Sequence, residues 1–251
     1  MREIVLQRFA EFKRNSEGGI PHLYVDTRDW VTVGIGCLLK SKEQARKQFA
    51  QTRAHWYVKG SAALPTEKML DDDFDACVKL NKDLGGGVRS RAFEKVTSLR
   101  LTNAGIDEFT KLKMKAFEGT LFHSLTRQQW EEFPADAQFC CIAMMWGPGV
   151  WATLVKRYPA LTTAIRNEDF AEAAKHITFK SNGNDTVRAF LNKAYRFMLS
   201  NASASMPKGC RGTGGVPSYF LNPALVYWPK KWEYDPESEI ALETDVMPDH
   251  V

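Results

Sequence analysis

Apolar residues near the start of the chain recur as Val5, Phe9 and Phe12, with Arg, Glu and Lys between them, which predicts one amphipathic helix over 2–16. Gly18 and Gly19 follow, and glycine readily takes the left-handed conformation of a helix exit. Glu17 therefore falls at the end of that helix. The period then changes to two. Residues 22–26 (HLYVD) and 30–36 (WVTVGIG) alternate and are rich in Val, Ile and aromatics, predicting a hairpin turned at Thr27, Arg28 and Asp29. Helical spacing returns over 38–57 through Ala45, Phe49 and Ala54, with Ser41 as N-cap. A turn over 60–65, a helix over 66–84 and a glycine loop over 85–87 come next.

A helix capped by Thr102 carries Ile106, Phe109 and Leu112 or Met114 on one stripe, and another segment opens at Thr126. Residues 135–146 are apolar on most faces, so they predict a buried central helix broken by Gly147, Pro148 and Gly149. Short helices are expected over 151–158, 161–166 and 169–176, with Pro159 ending the first, and a longer one over 187–199. Beyond Asn201 glycines and prolines break any long periodicity, while Tyr219, Phe220, Tyr227, Trp228, Trp232 and Tyr234 supply aromatics. An irregular strap over 202–234 and a mobile acidic end over 235–251 are expected. The fold class that results is mainly α (α+β), with a small hairpin.

Composition narrows the partners. The longest apolar run, 139–146, is too short to cross a bilayer, and Arg2, Glu3, Arg8, Glu11 and Lys13 interrupt any secretory apolar stretch, so export needs another route. The five cysteines are odd in number and lack a CxxC spacing; they read as reduced thiols, Cys140 and Cys141 as core residues, and no metal site is expected. Residues 233–251 hold seven acidic residues and no Lys or Arg, which leaves 1–232 with 34 basic residues against 23 acidic ones, a net +11. A basic body favours an anionic polymer as partner. No recognition-helix, Cys/His-finger or RNP-type pattern accompanies that charge, so nucleic acid is not the expected one. His22 has no serine or cysteine partner at informative spacing and reads as a polar surface residue.

The candidate chemistry lies in Glu17, Asp26 and Thr32, which a turn and a hairpin can bring to one wall of a cleft. A carboxylate at a helix C-terminus feels the negative end of the dipole, and with partial burial it holds its proton to higher pH, as an acid catalyst needs. Asp26 ends the first strand, Thr32 points to one face of the second, and Gly34 and Gly36 leave room beside the backbone.

Glu17-Gly18, then Leu23, Tyr24, Asp26 and Thr27, then Thr32 and Gly34-Ile35-Gly36 with Leu38 and Leu39, resembles the signature of phage-type lysozymes, the glycoside hydrolase family 24 endolysins. The joint spacing, nine residues from Glu17 to Asp26 and six more to Thr32, carries the resemblance. It implies a two-lobed lysozyme-like fold and hydrolysis of the β-1,4 bond between N-acetylmuramic acid and N-acetylglucosamine in peptidoglycan, without cofactor. Glu17 is then the acid, Asp26 the base or charge stabiliser, and Thr32 holds the attacking water, an inverting arrangement. Tyr24, Trp30 and Arg188 are the further substrate-binding candidates, Arg188 matching an arginine that faces the glutamate in the family.

Departures from the family are specific. The family's structural histidine–aspartate pair corresponds to Cys37 and Lys113, a joint replacement expected to leave no lone buried charge. An amide ahead of the Gly-x-Gly turn is replaced by Met144-Met145, which puts a sugar contact there in doubt. The resemblance divides the chain into a catalytic domain over 1–201, with an insertion within about 45–98, and a C-terminal extension over 202–251. The insertion can widen the substrate groove, bind a partner or pad the small lobe, the last being the first expectation. A monomer acting in the periplasm or cell wall is expected, as an endolysin released through a holin, an effector delivered by a secretion system or a catalytic domain of a longer protein; as an effector it would have an immunity protein or a secretion carrier as partner. A chitin or chitosan hydrolase on the same scaffold, and an inactive peptidoglycan-binding module, are the alternatives.

Overall fold

The computed structural model describes residues 1–146, 149–179 and 185–205, and of 15–17, 185–187 and 205 the backbone alone. The strap and acidic end expected beyond Ser205 lie outside the described residues, as do Gly147 and Pro148. The fold is mainly helical with small antiparallel sheets. Its described residues form two compact units, Lys13–Lys113 in one and, in the other, Met1–Phe12 with the chain from Met114 onward.

The Lys13–Lys113 unit begins in the last turns of α1 (Glu3–Glu17), which exits through Gly18 at φ 74°. Three strands follow, β1 (Ile20–Val25), β2 (Val31–Gly34) and β3 (Cys37–Leu38), in the order β1-β2-β3 with antiparallel pairing throughout. Tyr24 pairs with Thr32 and Val25 with Val31, the register shifting between Ile20 and Tyr24. The third strand escapes periodicity because two residues carry no alternation.

The helix expected over 38–57 is shorter. It runs as α2 (Lys42–Thr52), with the Ser41 hydroxyl accepting from the Gln44 N–H at 3.2 Å. A 3-10 turn (Arg53–His55) then leads into β4 (Trp56–Val58), which pairs with β5 (Leu99–Leu101) through Trp56–Leu101 and Val58–Leu99. These three-residue strands close the base of the segment 59–98. Within it, α3 (Glu67–Asp83) starts at the Thr66 cap, and a short α4 (Ser90–Phe93) packs near β1. Cys77 on α3 donates its thiol to the Leu23 carbonyl on β1, S···O 3.4 Å. Asp73, 4% exposed, accepts from Ser98 N–H and Oγ–H and from Leu99 N–H at 2.8, 3.0 and 2.8 Å. His22 corrects the expectation of a surface residue. It is fully buried, with Nε2 3.0 Å from the Ser90 carbonyl, and burial brings its pKa down to about 4.

The other unit is all helix. From α5 (Asn103–Leu121) the chain passes through α6 (Arg127–Glu132), entered by a Thr126–Gln129 capping box, to α7 (Ala135–Met145), of which every residue is buried. Phe9 and Phe12 of α1 stack against Phe139, and Trp146 against Phe9 and Phe117, so the continuous apolar surface of α7 is covered by aromatics. Cys140 and Cys141 are buried thiols in that core. Next come α8 (Trp151–Arg157), α9 (Pro159–Arg166) with its proline in the first turn, α10 (Phe170–Lys175) and α11 (Asp185–Ser205), longer at both ends than the pattern indicates. Among the described residues no helix is long and apolar enough to cross a membrane.

Candidate active site

Glu17 closes α1, and its side chain lies outside the described residues. The helix end that carries it is tied down within its unit: Arg14 makes an ion pair with Asp107 on α5, and the Gly18 N–H closes on the Arg14 carbonyl at 2.8 Å. A Cβ at Gly19 would stand 3.6 Å from Ile106 Cδ1, and one at Gly34 would stand 3.4 Å from Ile106 Cγ2. Both distances are ordinary van der Waals contacts, so what favours glycine is the Gly34 backbone, at φ 65°.

Asp26 is half-buried just beyond β1 and organises the turn. Its Oδ1 accepts from the backbone N–H groups of Arg28 and Trp30, both at 2.9 Å. Its own N–H donates to the Trp30 carbonyl at 2.9 Å, and its carbonyl accepts from the Asp29 N–H at 3.0 Å. No hydrogen bond to Oδ2 is found among the described residues. Desolvation raises the pKa of this carboxyl, as the neighbouring Asp29 also does, against the two N–H groups and the Arg28 charge.

Thr32 lies opposite Tyr24 in the ladder, and Asp26 follows Tyr24 by two residues, so strand alternation puts Asp26 and Thr32 on the same side of the hairpin. Thr32 is buried, and its hydroxyl donates to the Trp30 carbonyl at 3.0 Å, leaving the oxygen lone pairs as acceptors. Trp30 is 42% exposed at the turn, whereas Tyr24 is 4% exposed. An exposed indole can stack on a sugar ring; the Tyr24 side chain is buried in the hairpin.

Arg188 belongs to the other unit, on α11, where it is half-buried near Tyr158 and Tyr195 and its Nε has no hydrogen-bond partner among the described residues. Lys113 turns its amine inward: Nζ donates to the Gly36 carbonyl at 2.5 Å, and desolvation lowers its pKa to about 8 against the attraction of Cys37 and Asp26. A charge is therefore retained behind the hairpin, because the Gly36 carbonyl and the Asp26 field compensate part of its burial.

Two participants escape sequence reading. Asp29 has φ 62°, and its Oδ1 accepts from Asn81 Nδ2 on α3 at 2.7 Å, linking the segment 59–98 to the turn that carries Asp26. The Thr-Arg-Asp turn signal points to Asp29 alone; nothing local points to Asn81, 52 residues away. Among the described residues no three of His, Cys, Asp and Glu are grouped to hold a metal ion. No protein-family model and no curated protein sequence matches the chain.

Proposed function

We propose that the chain is a muramidase, hydrolysing the β-1,4 bond between N-acetylmuramic acid and N-acetylglucosamine in peptidoglycan with inversion at the anomeric carbon. The observation that carries this reading is the division of hydrogen bonds on the hairpin. Asp26 spends Oδ1 on two backbone N–H groups and keeps Oδ2, while Thr32 spends its proton on the Trp30 carbonyl and keeps its lone pairs. Both groups thus present acceptors.

A nucleophilic water needs that set. One O–H gives its proton to Asp26 Oδ2, the other points to Thr32 Oγ1, and the oxygen lone pair is left for the anomeric carbon. Glu17 supplies the proton to the leaving oxygen, so the bond breaks as a neutral hydroxyl departs and the water oxygen takes its place on the opposite face. The order and spacing of Glu17, Asp26 and Thr32, and the family resemblance they carry, support the same reading. The periplasmic face of the cell wall is the place of action that it implies, with the net +11 of residues 1–232 favouring an acidic polymer.

Mass analysis of fragments released from purified sacculi tests the proposal, beside soluble chitooligosaccharides and a Glu17→Gln control. The expected products end in reducing N-acetylmuramic acid and vanish in the control. Cleavage of chitooligosaccharides alone, an anhydro-sugar end, or no release by the unaltered protein would overturn it.

A further inference from the structure

Asp29 holds a left-handed backbone conformation, φ 62°, which a side-chain-bearing residue keeps where its surroundings fix it. The surroundings here are the end of α3. Asn81, in the last turn of that helix and 8% exposed, donates Nδ2 to Asp29 Oδ1 at 2.7 Å, and its backbone carbonyl accepts from the Gly86 N–H at 2.8 Å. Gly86, at φ 86°, closes the other side: a Cβ there would stand 3.7 Å from Asp29 Oδ1.

The rest of the contact is open. A hollow of about 390 Å³ lies between the turn and α3, lined by Val25, Asp29, Val78, Asn81, Lys82 and Gly86 among others. Packing therefore does little to fix the turn on this side, and the Asn81 amide supplies a directional bond. The helix that presents the amide is itself anchored, through Asp73 to the β5 entry and through Cys77 to β1. From Asp29 the connection to the carboxylate is one step: the Asp29 N–H donates to the Asp26 carbonyl, and the flanking Arg28 and Trp30 N–H groups bind Asp26 Oδ1.

We propose that Asn81 is a positioning residue for Asp26, acting through Asp29, and that the segment 59–98 serves the reaction by carrying this strut to the turn. The proposal rests on the reading of Asp26 as the catalytic base. The charged groups around that carboxyl are Arg28 and Asp29 of its own turn and Lys113 of α5, with Lys82 of α3 lining the hollow. Asn81→Ala alters none of them, so a change in Asp26 titration reports the turn geometry and not a changed charge.

The test combines kinetics on soluble peptidoglycan fragments with a carbon-13 NMR titration of the Asp26 carboxyl. In N81A the loosened turn weakens the two N–H bonds that hold the Asp26 pKa down, so the carboxyl titrates at higher pH and the acid limb of kcat moves with it. The rate at the optimum falls by about tenfold, with KM unchanged. Asn81→Asp opposes two carboxylates and shows the defect, and the exchanged pair N81D with Asp29→Asn restores an amide–carboxylate bond between the same two positions and recovers the rate; because the Asp29 charge that raises the Asp26 pKa is gone from it, this pair is read by rate and not by titration. An unchanged Asp26 titration in folded N81A and no recovery in the exchanged pair would overturn the proposal. If the unaltered protein hydrolyses no glycan, the muramidase reading falls, and the NMR titration alone decides the role of Asn81.

Discussion

The Lys113 ammonium donates to the Gly36 carbonyl at 2.5 Å, binding α5 to the tight turn between β2 and β3. Desolvation lowers the Lys113 pKa to about 8, below its ordinary value of 10.5. A lysine whose folded pKa lies below its unfolded value binds fewer protons when folded, so stability rises with pH across that interval. Between pH 8 and 10.5 the protein is expected to gain stability, and Lys113→Met to lose that gain. Urea unfolding at pH 7.5 and pH 10 measures it; equal pH responses in the two proteins would remove Lys113 from this role.

His22 produces the opposite limb. Its folded pKa of about 4 lies below the ordinary 6.5, so the neutral ring contributes stability above pH 6.5 that is lost as the pH falls toward 4. A displacement of that size corresponds to about 3 kcal/mol of acid sensitivity when complete. His22→Gln keeps a donor for the Ser90 carbonyl without a titrating ring. Acid unfolding followed by tryptophan fluorescence is expected to show a shallower dependence between pH 6.5 and 4 in this variant.

Glu17→Gln is expected to leave the fold intact and abolish hydrolysis, because an amide cannot deliver the proton. Asp26→Asn should be nearly as damaging, since Oδ1 remains an acceptor while the base is gone. Thr32→Val keeps the shape of the strand and removes the acceptor, with an expected loss of about 10- to 100-fold in kcat and little change in sacculus binding. Turnover assays with a pull-down on sacculi separate the two effects; retained turnover in E17Q would take Glu17 out of its role.

Gly105, on the first turn of α5, has no space for a side chain. A Cβ there would stand 2.6 Å from Leu101 Cδ2 and 2.7 Å from His55 Cβ, with the His55 carbonyl at 3.3 Å. Gly105→Ala should therefore force β5 away from the 3-10 turn and cost about 1–3 kcal/mol, despite alanine's higher helix propensity. Thermal unfolding gives the value, and a stabilised variant would contradict the packing at this corner.

The proposed muramidase reading predicts inversion at the anomeric carbon. On that reading Thr32 accepts one water proton and Asp26 the other, and attack is expected from the face opposite the leaving group, giving an α-configured reducing sugar from a β-linked chain. NMR of the new anomer before it mutarotates is expected to show the α form first. A β form would mean that Asp26 itself attacks.

Local pattern by itself determined the long amphipathic and apolar helices, because period and caps are written into neighbouring residues: Ser41 and Thr102, the caps read from the sequence, each accept from a backbone N–H three residues on. It also determined the hairpin, and with it the placing of Asp26 and Thr32 on one side of it, since the seven residues from Asp26 to Thr32, with a turn signal among them, leave few other arrangements. What tertiary structure decided has a common cause in long sequence separation. The strands β4 and β5 are three residues each and exist through pairing across some forty intervening residues, so the helical period over 53–57 gives way to a partner strand that local pattern does not contain. His22 has the sequence context of a surface residue and is buried because α4 arrives over β1 with a carbonyl for it. Lys113 keeps an inward amine because Gly36, 77 residues away, offers its carbonyl. Asn81 reaches Asp29 on the same terms: a helix end fixed by Asp73 and Cys77 meets a turn fixed by Asp26, and hydrogen bonds between such distant residues are set by the three-dimensional packing of their elements.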